Sequence, residues 1–421
     1  MKSWSTKRIK DLFDTYTGAT PSSKVSSYWD GDIVWVTPAD MTDFGEISSG
    51  ETNITWAGYN SCSTNLVPKG SIVLSSRAPI GKVNIAARSL CTNQGCKSLV
   101  PKNVNAKFVA YYLYNSSKEL DTLGQGTTFK ELPLKRIVSF PVFLPSMYEQ
   151  ERIVTYLDEK SVLIEDRIQQ LEVQAEHYSS LKVSLINEVT TRGLRPHLEC
   201  KDSEIDWIGS IPKEWKRLRL KDVAYLYSGL TGKSGDDFRC EDDTLTKPFI
   251  PFTNVLNNNY IDFNQFNRVV MKDGEPQNQV KKNDLIFLMS SEDYESIAKS
   301  AVVLGDPGEV YLNSFCRGLR ITNHNCYAPF LNYQLNSEMY RDALRFEARG
   351  FTRINIKIDR VASHFVSLPP FSEQQTIADY LDEKCAKIDA AIANIDKQTD
   401  ALRRLKRSLI NEVISGKRMI E

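Results

Sequence analysis

The sequence has no long apolar run. Nowhere in its 421 residues does a stretch approach the roughly 18 consecutive apolar residues of a membrane-spanning helix. Its basic start, MKSWSTKRIKDLFD, is not followed by the apolar segment of a secretory signal. These absences predict a cytoplasmic protein with no membrane partner.

The sequence also lacks a metal-binding motif and an excess of one charge. The eight cysteines form no CxxC pair and the four histidines lie far apart, so a zinc site is not expected and the cysteines are predicted to be reduced structural thiols. With 53 Lys+Arg against 53 Asp+Glu, the net charge is +0, without the bulk basic character of many nucleic-acid-binding proteins. This is weak evidence against DNA as a partner, because a basic face can lie on a neutral protein.

Catalytic motifs are the third absence. The closest approach to the (Asp/Asn)-Pro-Pro-aromatic tetrad of an adenine methyltransferase is LPPF at 368–371, with Leu368 in place of the acid or amide. SGLTGKS at 228–234 lacks the first glycine of a P-loop, and neither GxSxG nor HExxH occurs. The sequence therefore predicts a protein that is not an enzyme by itself, with no catalytic residue, no metal ligand and no cofactor in this chain.

What the sequence does contain is a duplication. Segment 144–189 aligns without a gap with 368–413, and close to half of the positions are identical, including YLDEK and LINEV in both copies. More loosely, IKDLFDTYTG (9–18) matches LKDVAYLYSG (220–229), and TNQGCKSL (92–99) matches LNSFCRGL (312–319). The whole chain is therefore interpreted as two copies of a globular region followed by a helix.

Each well-matched copy has the periodicity of a long helix. The apolar residues step by threes and fours, as Ile377, Leu381 and Ile388 do, and charged residues cover the other faces. Ser146 and Ser372 are available as helix caps. About 45 residues at 1.5 Å each make a helix of roughly 65 Å, which suits a spacer better than a compact domain. The two helices are predicted to pair as an antiparallel coiled coil.

The regions before the helices are predicted to be α+β globules. They combine strand-like runs such as DIVWVTPAD (32–40) and DLIFLMSS (284–291) with short helices predicted at 106–119 and 327–348. The fold class is thus α+β: two mixed α/β globules alternate with two long helices in a pseudo-two-fold internal repeat. The predicted boundaries are a first globule at 1–145, a spacer helix at 146–192, a linker at 193–206, a second globule at 207–370 and a second spacer helix at 371–421.

The order of these strings resembles the specificity (S) subunits of type I restriction-modification systems, the HsdS family. The similarity rests on WIGSIPKEWKRLRLKDV (207–223), on YWDGDIVWVTPADM (28–41) and on the two LP…EQ…YLDEK…LINEV helices, and it covers essentially the whole chain. The second globule carries the lead-in IGSIPKEW of that family, whereas the first begins directly at MKSW. The opening strand of the first globule is therefore expected to be shorter or missing.

The resemblance implies a DNA-binding protein that is not itself catalytic. Each globule would be a target recognition domain that reads one half of a bipartite double-stranded DNA target, and the helices would set the distance between the halves. The helices would also dock two methyltransferase (M) subunits, and restriction/translocase (R) subunits would join through the M complex. S-adenosylmethionine, and ATP with Mg²⁺, would then belong to the partners. DNA methylation and phage defence are the processes implied.

Two alternatives stay open at this point. The chain could be the specificity chain of another DNA modification or defence assembly, or a coiled-coil scaffold whose globules bind proteins. A methyltransferase reading frame beside this gene would favour a specificity chain, and its absence would favour the scaffold. A self-contained methyltransferase or nuclease ranks last, because the motifs that it needs are missing.

Candidate DNA contacts are polar and basic residues in loops at corresponding places of the two globules. Arg and Gln side chains can bond guanine or adenine edges, whereas Lys, Ser and Thr more often hold phosphates. In the first globule the predicted DNA-binding residues are Thr37, Asp40, Ser75, Ser76, Arg77, Lys82, Gln94, Lys97, Gln125, Thr127, Thr128 and Lys130. In the second globule they are Thr253, Asn254, Ser290, Ser291, Lys299, Asn313, Arg317, Arg349, Thr352, Arg353 and Lys357. For any one of them a plain surface residue is an equal alternative.

The repeated polar positions of the helices are the candidates for partner docking. A coiled-coil seam explains why leucine and isoleucine recur, but it does not explain why the charges of YLDEK recur. The predicted docking residues are Glu149, Gln150, Asp158, Glu159, Lys160, Glu373, Gln374, Asp382, Glu383 and Lys384. Helix solvation with i,i+4 pairing, or a recent duplication, is the alternative explanation.

Overall fold

The structure, a computed structural model, describes residues 4–126, 130–196, 198–239, 245–272, 274–350 and 352–420. The chain divides into two compact units. Unit 1 consists of residues 1–172 and 396–421, and unit 2 consists of residues 173–395. Unit 1 is thus not one consecutive segment, and each unit contains one globule together with a stretch of both long helices.

The globule of unit 1 is built from short strands and short helices. Its strands are β1 (Ser5–Arg8), β2 (Phe13–Thr17), β3 (Trp29–Val36), β4 (Phe44–Ile47), β5 (Thr52–Ile54), β6 (Ile72–Ser75), β7 (Val83–Ala86), β8 (Cys91–Thr92), β9 (Cys96–Pro101) and β10 (Pro141–Leu144). Its helices are α1 (Ile9–Leu12), α2 (Trp56–Asn60), α3 (Ala106–Asn115), α4 (Ser117–Thr122) and α5 (Leu134–Val138), with a 3-10 turn at Ser26–Tyr28. The main sheet has the order β2-β9-β6-β7-β4, with β4 and β7 parallel and the other pairs antiparallel. A second sheet has the order β5-β3-β8, and β1 pairs with β10.

Strand β6 shows why the central strands are apolar throughout. Successive side chains of a strand point to opposite faces of its sheet. Ile72 and Leu74 pack in the same core cluster as Phe108 of α3, whereas Val73 packs in another cluster with Val34 of the second sheet. Because both faces of β6 are buried, an unbroken apolar run replaces the alternation of a half-exposed strand.

The globule of unit 2 repeats this plan. Its strands are β11 (Cys200–Asp202), β12 (Ser210–Pro212), β13 (Lys216–Arg219), β14 (Ala224–Ser228), β15 (Thr246–Ile250), β16 (Asn267–Val270), β17 (Leu285–Leu288), β18 (Ser290–Ser291), β19 (Ser300–Val302), β20 (Tyr311–Leu312), β21 (Cys316–Ile321), β22 (Ile354–Asn355) and β23 (Phe365–Leu368). Its helices are α7 (Phe252–Asn257), α8 (Ala328–Asn336), α9 (Glu338–Phe346) and α10 (Ile358–Ala362), with 3-10 turns at Leu220–Asp222 and Gly235–Phe238.

Most strands of the two globules correspond, although β4 of unit 1 and the pairs β11–β12 and β18–β22 of unit 2 have no counterpart among the strands of the described residues. In unit 2 the order β14-β21-β17-β19 matches β2-β9-β6-β7, and β13 pairs with β23 as β1 pairs with β10. The order β16-β15-β20 matches β5-β3-β8, and the pair β15–β20 is parallel, as β3–β8 is. The weak sequence match between the globules therefore reflects a shared topology.

Unit 2 differs from the sequence-based expectation at two places. The helical region predicted at 327–348 is two helices, α8 and α9, because Ser337 between them has an extended backbone with φ −63° and ψ 145°. The segment predicted as a linker, 193–206, contains strand β11, which pairs with β12 of the IGSIP lead-in.

Two long helices, α6 (Met147–Arg192) and α11 (Phe371–Ile414), complete the units. Ser146 caps α6, since its Oγ accepts a hydrogen bond from the Glu149 N–H at 3.3 Å. The predicted fold class, two α/β globules with two long helices, is confirmed. Within the described ranges no helix is both long enough and apolar enough to cross a membrane.

The helices run antiparallel where they meet in unit 1. Lys406 Nζ lies 2.6 Å from Glu165 Oε1, and Arg403 Nη2 lies 2.8 Å from Glu172 Oε1. Ion pairs in which the carboxylate is solvent-exposed, as both are here, contribute little stability each. The buried seam, which in unit 1 includes Leu171 at 2% exposure, is therefore the larger contribution.

The two ends of the repeated segment pack on different globules. Leu157, from the first YLDEK, lies in the core of unit 1, and Leu381, from the second, lies in the core of unit 2. At the other end of the segment, Val189 of α6 packs in unit 2 and Val413 of α11 packs in unit 1. Each globule thus receives one helix start and one helix end, which gives the whole segment a structural reason to recur.

Candidate nucleic-acid interface

In unit 1, a cluster of predicted DNA contacts surrounds Glu131. The Gln125 and Glu131 backbones exchange hydrogen bonds of 2.8 Å and close a short loop beside the end of β6. The Glu131 carboxylate accepts a hydrogen bond from Arg77 Nε at 3.0 Å and lies 3.5 Å from Lys97 Nζ. Lys97 also donates to the Gln94 carbonyl at 2.9 Å. Arg77, Gln94, Lys97 and Gln125 are therefore brought to one place.

Lys97 is unusual in this cluster because its side chain is only 4% exposed. Burial lowers the pKa of Lys97, and the nearby carboxylate of Glu131 opposes that effect. Arg77, by contrast, keeps 47% of its side chain exposed. Arg77 and Gln125 are thus exposed members of the cluster, Glu131 keeps 37% of its side chain exposed, and Lys97 is buried.

A second group of predicted residues holds a turn together. Asp40 Oδ2 accepts hydrogen bonds from the N–H and the hydroxyl of Thr37, each at 2.7 Å, and Oδ1 accepts one from the Glu51 N–H at 2.7 Å. Lys82 Nζ donates to the Met41 carbonyl at 2.7 Å. The polar groups of Thr37, Asp40 and Lys82 are therefore engaged inside the unit.

Other predicted contacts of unit 1 are buried or paired. Ser75 and Ser76 are fully buried, and their hydroxyls donate to the carbonyls of Pro79 at 2.7 Å and Gly95 at 3.0 Å. Lys130 Nζ lies 2.7 Å from Asp121 Oδ2. The predicted contacts Thr127 and Thr128 lie outside the described residues.

In unit 2, three predicted contacts line one cleft of about 240 Å³, namely Ser290, Arg317 and Arg353. The paired strands β18 and β22 each contribute a lining residue to this cleft, Ser290 and Asn355. The Arg353 guanidinium lies 4.1 Å from the ring centroid of Phe315, a cation–π contact between two residues that line the cleft. Arg353 Nη2 is 3.5 Å from Glu292 Oε1.

The remaining predicted contacts of unit 2 have varied surroundings. Asn254 is fully buried and its Nδ2 donates to the Asp262 carbonyl at 2.8 Å. Lys299 Nζ donates to the Leu256 carbonyl, and burial lowers the pKa of Lys299. Asn313 Oδ1 accepts from the Phe315 N–H at 2.9 Å, Arg349 Nη1 donates to the Phe346 carbonyl at 2.6 Å, and Ser291 is buried in β18. The exposed members are Thr253, Arg349, Thr352, Arg353 and Lys357.

The two units place different side chains at the same backbone positions. In unit 1 the Leu132 N–H bonds the Ser76 carbonyl at 2.7 Å, and in unit 2 the Ile356 N–H bonds the Met289 carbonyl at 3.1 Å. The Gln125–Glu131 backbone pair likewise has a counterpart in the Arg349–Asn355 pair. On this correspondence the unit 1 set of Arg77, Lys97, Gln125 and Glu131 matches the unit 2 set of Ser290, Arg317, Arg349 and Asn355.

The glutamines predicted for partner docking bind the globules instead. Gln150 Oε1 accepts from the Asn105 N–H at 3.1 Å, and Gln150 Nε2 donates to the Pro145 carbonyl at 3.0 Å. Its copy Gln374 is fully buried and accepts from the Tyr327 N–H at 2.8 Å. Both amides therefore fix the start of a long helix to its preceding globule.

The aspartates of YLDEK also fix the long helices to the globules. We term the globule side chains that contact each aspartate its helix socket. In unit 1 the socket is Tyr111 and Lys107, which contact the Asp158 carboxylate at 2.8 and 2.9 Å. In unit 2 it is Tyr260 and Tyr333, whose hydroxyls donate to Asp382 at 2.7 and 2.6 Å. Burial and then the Asp382 carboxylate raise the pKa of Tyr260 and of Tyr333.

Other predicted docking residues remain on the helix surface. Glu159, Lys160 and Glu383 are exposed, and Lys384 is half-buried. Lys160 Nζ lies 5.8 Å from the ring centroid of Tyr156, and Lys384 Nζ lies 5.4 Å from that of Tyr380. Glu373 is held near the globule by Arg195 at 3.2 Å, and Glu149 is half-buried at the first turn of α6.

Comparison with known proteins identifies the family. A family model described as the type I restriction modification DNA specificity domain matches residues 1–173 and again residues 212–398. The chain belongs to this family. The two matches fall on the two halves of the internal repeat, so this specificity subunit carries two copies of the domain.

Individual relatives agree with that assignment. The MjaIX type I restriction enzyme specificity subunit of Methanocaldococcus jannaschii is 28% identical over 428 residues, which cover 100% of this chain and 94% of the relative. A chain from a structure on assembly and conformational transition of the type I R-M system aligns with a TM-score of 0.73 at 14% identity, covering 98% of both chains. The HsdS subunit of Thermoanaerobacter tengcongensis aligns with a TM-score of 0.54 at 15% identity, covering 99% of this chain and 97% of that one.

Family membership makes this chain a type I specificity subunit, a recognition component rather than an enzyme in its own right. Sequence reasoning missed several residues of its candidate sites. Glu131 and Asn355 are among them, and comparing the two repeats at the loops after α4 and α9 would have identified them as equivalent. The socket residues Tyr111 and Tyr333 had no such local signal, because each is remote in sequence from its aspartate.

Proposed function

We propose that each globule of this specificity subunit reads one half of a bipartite double-stranded DNA target. The observation that carries this proposal is the pair of equivalent loops, which share backbone hydrogen bonds but differ in side chains. Two sites built on the same scaffold can read different base sequences when their contact side chains differ. Arg77 and Gln125 would act in unit 1, and Arg317, Arg349 and Arg353 would act in unit 2.

The long helices would set the distance between the half-sites and dock the partners. In this proposal two methyltransferase subunits bind the two copies of the helix surface, Tyr156–Glu159–Lys160 on α6 and Tyr380–Glu383–Lys384 on α11. The buried glutamines and the socket aspartates are excluded from that surface because they bind the globules. Restriction subunits would join through the methyltransferase complex.

Location and cofactors follow from the same proposal. The subunit would act in the cytoplasm, where it meets the DNA and its partners. S-adenosylmethionine would be bound by the methyltransferase subunits, and ATP with Mg²⁺ by the restriction subunits, with no cofactor held by this chain.

The stoichiometry is testable by native mass spectrometry of this chain co-expressed with its methyltransferase subunit. We expect a complex of two methyltransferase subunits with one copy of this chain. Glu159→Lys and Glu383→Lys, each reversing one repeated charge, are expected to weaken one docking site and to yield complexes with a single methyltransferase subunit. Charge reversal at a desolvated interface pair typically costs several kcal/mol, on the order of a 100-fold loss of affinity.

A matched control is Glu176→Lys, which reverses the charge of another exposed residue of α6 on a different helix face. It is expected to leave the composition of the complex unchanged. Full occupancy by two methyltransferase subunits in the Glu159→Lys, Glu383→Lys double variant would contradict this docking surface, as would equal impairment by the control.

A further inference from the structure

The cleft beside β18 in unit 2 contains polar groups that the described residues do not satisfy. Ser290 Oγ and Arg317 Nε are both buried and have no hydrogen-bond partner within the described part of the chain. Arg317 Nη1 is used internally, since it donates to the carbonyls of Cys316 at 2.9 Å and Ser314 at 3.1 Å. A buried donor without a partner costs free energy, and a bound ligand, ion or water that accepts from it would remove that cost.

The charged and polar side chains of this cleft indicate which class of ligand it would bind. Ser290 is 9% exposed and lies beside Arg317, while Arg353 keeps 42% of its side chain exposed and is held by Phe315. The neighbouring carboxylate, Glu292, is 81% exposed and 3.5 Å away, which is a weak, solvent-screened pairing. Two of the side chains that line the cleft are thus cationic donors, and they suit a ligand with paired acceptor atoms.

The equivalent place in unit 1 is already satisfied. There, Glu131 occupies the position of Asn355 and pairs with both Arg77 and Lys97. The unit 1 site therefore carries a carboxylate of its own, whereas the unit 2 site has the neutral Asn355 at that position.

We propose that the unit 2 cleft binds an acceptor group of the DNA through Ser290, Arg317 and Arg353. Two groups of DNA share this chemistry: the O6/N7 edge of a guanine and the oxygens of a phosphate. The inference rests on the proposed function, because it assumes that unit 2 meets DNA. The position of the site within unit 2 and the class of group bound go beyond that function.

The test is DNA binding by the assembled complex of this chain with its methyltransferase subunits. The probes are fluorescent duplexes that carry the bipartite target, one unaltered and one for each single base-pair substitution in the unit 2 half-site. Affinities are measured by anisotropy over a range of salt concentrations for Arg353→Ala and Ser290→Ala. Arg360→Ala is the matched control, because Arg360 also belongs to unit 2, is exposed and pairs with a carboxylate, Glu347, at 3.4 Å.

The two arms of the test separate the two DNA groups. If the cleft holds a guanine edge, Arg353→Ala abolishes discrimination at one position of the half-site, a loss of about 10- to 100-fold. If it holds a phosphate, Arg353→Ala weakens all duplexes alike and lowers the salt slope by about 1. Ser290→Ala is expected to follow the same pattern as Arg353→Ala with a smaller loss and no change in salt slope, since it removes no charge.

The proposal would be overturned if both cleft variants bound DNA with the same affinity as Arg360→Ala and discriminated equally well between base pairs of the half-site. That result would leave the proposed function intact as long as the unmodified complex still prefers the bipartite target. An unmodified complex with no preference for any bipartite target would instead contradict the proposed function itself.

Discussion

Asp284→Ala is expected to lower the free energy of unfolding of unit 2 by about 3 to 5 kcal/mol, the range for breaking a buried ion pair. The Asp284 side chain is 2% exposed and accepts hydrogen bonds from Tyr227 Oη at 2.7 Å and from Arg320 Nε and Nη2 at 3.0 and 2.7 Å. Hydrogen bonding to Asp284 raises the pKa of Arg320, and burial raises the pKa of Tyr227. Without the carboxylate, a partly buried guanidinium and a buried hydroxyl lose their acceptor.

Hydrogen exchange measured peptide by peptide is the suitable assay, because a chain of two units need not unfold in one step. Protection in β14, β17 and β21 is expected to fall, while unit 1 keeps its protection. Asp236→Ala is the control, since Asp236 is 92% exposed and pairs only with Arg239 at 3.4 Å among the contacts of its side chain in the described residues. Equal effects of the two substitutions would show that the Asp284 network contributes no more than a surface ion pair.

Asp382→Ala is expected to detach the start of α11 from its globule at a cost of about 3 kcal/mol, because two tyrosine hydroxyls lose a charged acceptor. Tyr260 and Tyr333 both donate to this carboxylate, and Leu381 beside it is fully buried. Asp382→Asn keeps one acceptor oxygen and is expected to retain part of the stability. Faster exchange of amides in the first turns of α11 is the readout.

Asp379→Ala supplies the control for this experiment, since Asp379 is an exposed residue of the same helix. It is expected to change stability by less than about 0.5 kcal/mol, as substitutions on helix surfaces usually do. The equivalent substitution in unit 1, Asp158→Ala, is expected to act on the start of α6 alone. An Asp382→Ala protein that exchanges like Asp379→Ala would refute the socket explanation for the repeated aspartate.

The sequence predicted the architecture because periodicity and duplication are local signals. The repeat placed both long helices, and Ser146 is the cap that its position indicated. The split of the 327–348 region into α8 and α9 was missed because Ser337 continues the polar spacing of a helix while its backbone is extended. The loose repeat predicted that the two globules share a fold, but the order of the strands within a globule could not be predicted from the sequence.

The candidate site was harder to predict, since loop geometry depends on contacts that are distant in sequence. Arg77, Gln94, Lys97 and Gln125 were selected as separate loop residues, and the structure brings them together around Glu131. Ser76 looked like a surface serine, but its hydroxyl bonds the Gly95 carbonyl in the interior. The repeated charge of Asp382 suggested that it docks another subunit. In the structure it instead accepts a hydrogen bond from Tyr333 of this chain's own globule.

In the proposed function, this specificity subunit directs methylation to one target through two separate globules. Sequencing that detects N6-methyladenine directly, in the host and in a strain lacking only this chain, tests it. We expect one split motif, two short defined blocks around an unspecified gap, to be methylated in the host and unmethylated in the deletion strain. Unchanged methylation at every split motif detected in an actively methylating host would contradict it.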